Sequence, residues 1–310
     1  MPQQNATSAD NNQLTLGSAL LTILLCLLFG ANPVAMKMSL TGIGVFTSTA
    51  LRFAISTVAL ACWAAWSGRR LAISAKQLGQ MCVLALIFFF QLSFFTFGLD
   101  LSTASHGALI SNFLPFLIML LAHFLLPDDR ITPQKLIGLV LGFIGVALLF
   151  RDSLSLTSSA FIGDLLLLAA VGVWSCNVIM VKRIISGYSS LQITLYPMLL
   201  AAPLFFFAGL IFDKQMIFDL SPYVISGMVY QSIVTAAFGF AMWNWLMQRY
   251  GATVLHSFVF LMPISGVLLG VLMLGDPLTA DLTVSIVLVV LGLIVINWRG
   301  PKRLVPPPAP

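Results

Sequence analysis

What most constrains this chain is a series of long stretches without a single charged residue. No Asp, Glu, Lys or Arg occurs from Leu14 to Met36, and the segments 77–99, 101–127, 184–212, 220–248 and 250–275 are equally free of them. Each is long enough to cross a hydrocarbon core, which takes about 20 helical residues. Lipid offers no partner for an unsatisfied backbone N–H or C=O, so such runs must be helical. Composition agrees: 59% of the residues are hydrophobic and 8% charged, whereas a soluble domain carries about 25% charged residues. A water-soluble helical bundle is thereby excluded, and the lipid bilayer is the first expected partner.

Ten helices are predicted, at roughly 14–36, 44–66, 78–99, 101–126, 134–150, 162–182, 190–212, 222–247, 251–275 and 280–298. The connectors between them are short and marked by Gly, Pro, Ser or charge. With the N-terminus in the cytoplasm, the inner segments hold Arg69, Arg70, Lys76, Arg130, Lys135, Lys182, Arg183, Arg249, Arg299, Lys302 and Arg303. The outer segments then hold only Lys37, Arg151 and Lys214, which leaves Arg52 inside a span. Short loops rich in Lys and Arg stay inside, so eleven against three places both termini in the cytoplasm of a multi-pass cell-membrane protein. The net charge of +5 is therefore a topology signal and implies no nucleic-acid partner. The four cysteines all lie in apolar spans, where no disulfide framework is expected. Residues 1–13 read as a polar tail without the basic n-region of a signal peptide, and 299–310 as a basic, proline-rich tail.

Five helices per half force the second half to start from the opposite side of the membrane, and the sequence carries traces of such a repeat. Phe29–Lys37 of the first helix and Trp174–Lys182 of the sixth share Asn and Lys at one spacing, through Asn32/Lys37 and Asn177/Lys182. Pro115 and Asp128 stand thirteen apart, as do Pro263 and Asp276. Leu120, Leu121 and Leu126 fall in the same register as Leu268, Leu269 and Leu274. The fold class expected is an all-α integral membrane protein of ten transmembrane helices, arranged as two inverted five-helix repeats over 14–150 and 161–298.

With those residues in hand, the chain resembles the EamA branch of the drug/metabolite transporter superfamily over residues 15–298. The likeness rests on Gly30-Ala-Asn-Pro-Val…Lys37, on Leu51-Arg52-Phe53, and on Leu101-Ser-Thr-Ala-Ser…Leu114-Pro115 followed by a short Asp turn and a Gly-rich helix. It implies a central cavity lined by helices one to four and six to nine, with five and ten peripheral, and export of amino acids or other small metabolites. The turn after helix four commonly holds a Glu in that family; here it is Asp128-Asp129.

Polar groups inside the bilayer are costly, so each asks for a role. Arg52 lies about 12 Å from the outer end of helix two at 1.5 Å per residue. It reads either as a guanidinium that meets a substrate carboxylate or as a structural Arg bonding helix-end carbonyls. The other candidate substrate contacts are Asn32, Gln91, His106, Asn112, Asn177, Asn244 and His256, with Trp174, Tyr196, Tyr230 and Trp243 as aromatic walls. For the histidines the alternative is a satisfied core imidazole, and for the aromatics simple packing. Pro33, Pro115, Pro197 and Pro263 are expected to break or hinge their helices, because proline removes a backbone donor. Trp63, Trp66 and Trp298 read as an interfacial belt. The Gly138/Gly142 pair reads as close packing or a homodimer surface. No HxxxH, Glu-x-x-His or CxxC spacing occurs, so neither a metal nor a cofactor is expected.

The leading function is therefore a small-molecule exporter that works by alternating access. Uptake of a cofactor-like or nucleoside-like solute on the same fold is the alternative, and an intramembrane enzyme, which needs clustered His, Asp or Ser, is the distant one. All ten carboxylates are Asp, and only Asp100 and Asp164 fall near helix ends, the rest in tails or connectors. Proton coupling needs a buried group that titrates, so transport is expected to run down the substrate gradient, with His106 or His256 as the titrating alternative.

Overall fold

The computed structural model describes residues 15–69, 71–125, 132–184, 187–250, 255 and 258–297. The first four spans are α1 (Leu16–Leu40), α2 (Val45–Trp66), α3 (Ala75–Leu101), and a span made of two helices, α4 (Ala104–Ser111) and α5 (Leu114–Leu125). Span five is α6 (Pro133–Leu156), span six α7 (Ser158–Ile184) and span seven α8 (Ser190–Phe212). Span eight runs through α9 (Pro222–Val229), a π-helical stretch Tyr230–Gly239 and α10 (Phe240–Tyr250). Span nine is α11 (Leu261–Leu269) continued by a π turn Gly270–Leu274, and span ten is α12 (Ala280–Asn297). Among the described residues nine helices are long and apolar enough to cross a membrane; span nine is shorter, at Leu261–Leu274. Part of its predicted start, with His256, lies outside the described residues, as do Asp128, Asp129 and Trp298.

The surface is turned inside out relative to a soluble protein. Leu16, Leu20, Leu24 and Leu27 form an exposed apolar stripe along α1, while Thr22, Ser39, Arg52, Gln91, Asn177 and Gln231 are buried. Lipid tolerates the stripe, and only the protein interior can satisfy the polar groups.

Packing follows a twofold plan. Span one lies against spans eight and nine; its repeat partner, span six, lies against spans three and four. Spans two and seven pair with each other, as do spans five and ten. At the five–ten crossing a Cβ on Gly138 would meet the Gly292 carbonyl at 2.8 Å, and one on Gly292 would meet the Gly138 carbonyl at the same distance. Gly142 lies against the Phe116 ring. The glycine pair is thus consumed by internal packing and offers no dimer surface.

The prolines divide into two kinds. Pro115 follows a break at Asn112–Phe113, where Asn112 and Phe113 donate to Leu109 and Ile110 at i−3. Pro263 follows the turn 258–260, where Leu261 and Met262 bond Phe258 and Val259 in the same way. Proline cannot donate to the carbonyl four residues back, and each break sits where that bond would have formed. Pro33 and Pro197, by contrast, stand inside the unbroken helices α1 and α8, as Pro203 does. The expectation of a break fails there because both helices are packed along their length, which keeps the chain helical despite one lost bond.

Spans five and six extend beyond their predicted ends. Arg151–Ser159 was expected to be a connector, yet only Thr157 interrupts the helices. Thr157 is extended, at φ −157° and ψ 155°, and its Oγ1 accepts from Ala160 N at 3.0 Å, which caps α7. Charge at 151 and 152 suggested a membrane boundary; instead the helix continues, and Asp152 turns inward and is buried.

Candidate functional site

Connector contacts sort the helix ends onto two faces. On one, Gln77 Nε2 donates to the Gly187 carbonyl, Gln192 Nε2 to the Ala72 carbonyl and Ser18 pairs with Tyr250. On the other, Lys37 Nζ donates to the Asp100 carbonyl at 2.9 Å and Asp213 accepts from Thr47 N at 2.8 Å. Asp276 there accepts from Ser105 N at 2.7 Å, capping α4. The second face gathers Asp100, Asp152, Asp164, Asp213, Asp219, Asp276 and Asp281 and is the acidic one; the first is basic. Between them lie three groups of polar side chains.

The first group sits at mid-depth. Arg52 of α2 and Asn32 of α1 stand seven and eight residues from the acidic end of their helix, roughly 11–12 Å into the span. Arg52 is 4% exposed. Its Nη1 and the Asn32 Nδ2 both point at the Met36 sulfur, each at 3.3 Å. A thioether is a weak acceptor, and the Arg52 Nε has no partner among the described residues. No carboxylate pairs with this guanidinium among the described residues. Asn32 Oδ1 accepts from Thr235 Oγ1 at 2.8 Å, and Ser56 Oγ donates to the Ser232 carbonyl at 2.9 Å. Both contacts depend on the π stretch, whose wider turn frees carbonyls and aims Gln231, Ser232 and Thr235 inward. Gln231 Nε2 reaches Ser39 Oγ at 2.6 Å.

The second group lies toward the acidic face. His106 of α4 is buried between two carboxylates, with Nδ1 at 2.7 Å from Asp164 Oδ2 and Nε2 at 3.1 Å from Asp152 Oδ2. Ser102 Oγ donates to the other Asp164 oxygen at 2.5 Å. Close backbone approach makes this possible, since a Cβ on Gly163 would meet the Gly98 carbonyl at 2.7 Å and Ser102 Cβ at 2.9 Å. Asp152 was assigned to a connector, and its contact with His106 corrects that assignment.

The third group surrounds a cavity of about 210 Å³ at the basic end, lined by Trp63, Arg69, Ser190, Leu191, Thr194, Ala241, Met242 and Trp245. Trp63, expected in an interfacial belt, instead walls this cavity, with the Arg69 guanidinium 5.1 Å over its ring. It faces inward because α2 packs along α8, with Ala241, Met242 and Trp245 of α10 on the cavity's other walls. Trp66 is 89% exposed. Asn244 Nδ2 donates to Thr194 Oγ1 at 2.9 Å, and Tyr196 hydroxyl to the Leu71 carbonyl at 2.7 Å. Trp243 packs edge-on against Phe29 at 5.8 Å.

The remaining candidates are scattered. Tyr230 donates to the Leu28 carbonyl at 3.1 Å, and Asn112 to the Ala108 carbonyl at 2.7 Å, at the break in span four. Gln91 and Asn177 are buried with side-chain oxygens that have no partner, while Trp174 is half-buried. Met36, Thr235 and Asp152 were not among the sequence candidates. Met36 and Thr235 carry no signal in an apolar helix, and Asp152 carried a misleading one.

Known proteins place this architecture. The chain is 29% identical over 183 residues to a protein of Escherichia coli named a probable amino-acid metabolite efflux pump, covering 55% of this chain and 61% of that one. A protein of the same printed name from Salmonella typhimurium is 28% identical, over 64% and 67% of the two chains. An uncharacterized transporter of Bacillus subtilis, YetK, is 27% identical over 86% and 82%. A crystal structure at 19% identity superimposes over 91% of this chain and 98% of its own with a TM-score of 0.67, which speaks for the fold. The EamA-like transporter family matches residues 16–151 and again 161–298. With two copies of that unit, ten apolar spans and a twofold packing plan, the chain belongs to the EamA-like family of drug/metabolite transporters and is a multi-pass membrane transporter.

Proposed function

We propose that this transporter exports small carboxylate-bearing metabolites, amino acids or their relatives, by alternating access around Arg52 and Asn32. The observation that carries the reading is a buried guanidinium whose only hydrogen-bond acceptor among the described residues is a thioether. An Arg at helix mid-depth costs roughly 2.5–3.5 kcal/mol to insert, and this one receives no carboxylate in return. A substrate carboxylate at the Met36 sulfur position would accept from Arg52 and the Asn32 amide together, a charge-assisted arrangement stronger than neutral hydrogen bonds. The cavity at the basic end supports the same reading. Its Trp63, Trp245 and Arg69 offer aromatic walls and a cation to an amphiphilic acid on its way to the central site.

With the basic face in the cytoplasm, both termini are cytoplasmic and the units 14–150 and 161–298 rock about the central site. Cysteines placed singly in a Cys-free background test that orientation: Ser74→Cys should resist an impermeant thiol reagent on intact cells, and labelling there would invert it. The function itself is tested by counterflow in proteoliposomes with amino acids, nucleosides and flavins. Exchange of amino acids that Arg52→Gln weakens at least tenfold is expected. Exchange of nucleosides or flavins alone, indifferent to Arg52, would overturn the reading.

A further inference from the structure

We propose that His106, Asp152 and Asp164 form a proton-binding site through which proton entry drives export. The sequence favoured transport down the substrate gradient because every carboxylate except Asp100 and Asp164 fell in a tail or connector. Burial of Asp152 and Asp164 on either side of His106 removes that ground.

The argument is one of proton counting. An imidazole with one ring proton can donate to only one of two ionised carboxylates and presents a bare lone pair to the other. With both nitrogens protonated it donates to both, and the N···O separations of 2.7 and 3.1 Å put both carboxylates within reach of such donation. One proton therefore decides whether α4 is tied to both α6 and α7 or to one of them. Asp164 is held from its far side by Ser102, at the junction of α3 and α4, so the tie spans four elements. The carboxylates lie on opposite edges of the ring and do not converge on one point, and no group of three metal-ligating side chains occurs among the described residues. The ligand that fits is a proton.

Position and symmetry support a coupling role. Asp164 lies roughly 9 Å into α7 from the acidic end, which the basic-residue count makes the outer one. The charged groups nearby are rim residues. Lys37 of α1 bonds the Asp100 carbonyl of α3, Asp276 caps α4 beside His106, and Arg151 of α6 pairs with Asp281 of α12 at 3.0 Å. A packing device of the repeat would have a counterpart at the opposite end. The register that matches Asn32 with Asn177 puts Ala19 at the place of Asp164, and that of Pro115 with Pro263 puts Val254 at the place of His106. Neither residue can hold or share a proton, and among the described residues the cluster is present at one end only, as a directional device should be. Protons arriving from outside would bind it and close the three helices together; their loss inward would accompany reopening.

The test uses the full-length protein in liposomes loaded with a mixture of the proteinogenic amino acids and a trapped pH dye. For the wild type, each solute efflux event should carry proton entry, and an inward proton gradient should speed efflux several-fold. His106→Gln should lower proton entry per solute at least tenfold, whatever exchange remains, and Asp152→Asn should behave likewise. Solute efflux without proton movement in the wild type, or an unchanged proton-to-solute ratio in both variants, would overturn the proposal. If no amino acid moves, the substrate reading has failed and the proton site is judged alone, by infrared difference spectra of the purified protein across a pH titration. A linked imidazole and carboxylate change that His106→Gln and Asp164→Asn both abolish is expected; no such change in the wild type would overturn it.

Discussion

Two buried polar clusters in the same molecule are built on opposite terms. At mid-depth, Arg52 is a cation that meets no anion among the described residues, with its Nη1 on a thioether and no partner for its Nε there. Toward the acidic face, His106 has an anion on each side, and one of those anions has a hydroxyl behind it. An incomplete cluster costs stability until something from outside completes it; a complete one is held by the chain itself. The difference teaches that burial of charge alone does not mark a substrate site. The missing counter-charge does.

The largest effect should come from breaking the complete cluster. Asp164→Ala leaves His106 and Ser102 facing a void, and loss of one partner from a buried charged pair costs about 3–5 kcal/mol. Thermal unfolding in detergent should show it as a clear fall in Tm, and an unchanged Tm would mean the cluster contributes nothing to folding. The same measurement on Arg52→Met should run the other way. Removing an unpaired buried charge for an apolar side chain of similar length is expected to be neutral or stabilising by about 1 kcal/mol or more. A large loss of stability there would erase the contrast and return Arg52 to a structural role.

Next in size is a packing change that reaches the complete cluster without touching its chemistry. Gly163→Ala adds a methyl against the Gly98 carbonyl and Ser102. Overpacking of this kind costs about 1–3 kcal/mol; it should also part Ser102 from Asp164 and slow proton-linked efflux. The smallest effect is expected at the edge of the incomplete cluster. Thr235→Val removes the donor to Asn32 Oδ1, a hydrogen bond of about 1 kcal/mol. Apparent substrate affinity should drop roughly fivefold while Tm hardly moves. A drop in Tm as large as that of Asp164→Ala would show that the central site, too, is held together by its own residues.

Much of the fold was legible in the residues. Uncharged stretches of membrane length have one structural solution, so span number and helicity followed from charge spacing, and basic-residue placement separated the two faces. The repeat showed in Asn32/Asn177 and Pro115/Pro263, because inverted halves keep helix breaks and small polar groups at matching depth. Helix ends were legible only where a Pro, Gly or Ser stopped the chain. At Arg151-Asp152 a charge pair was read as a boundary, and α6 continued through it because one side chain turns to solvent and the other inward.

By itself, then, the sequence determined that this is a ten-span, two-repeat membrane protein with a lone Arg in the bilayer, since hydrophobicity and charge act locally along the chain. Which groups meet was decided by tertiary structure alone. His106 finds Asp152 and Asp164 across three helices, Met36 comes between Asn32 and Arg52, and Trp63 turns from lipid to a cavity wall. The π stretch of span eight, which aims Thr235 at Asn32, has no signature in an apolar helix. The physical reason is that a hydrogen bond is directional and short. It depends on helix rotation and crossing distance to within an ångström, which packing sets and hydropathy does not record.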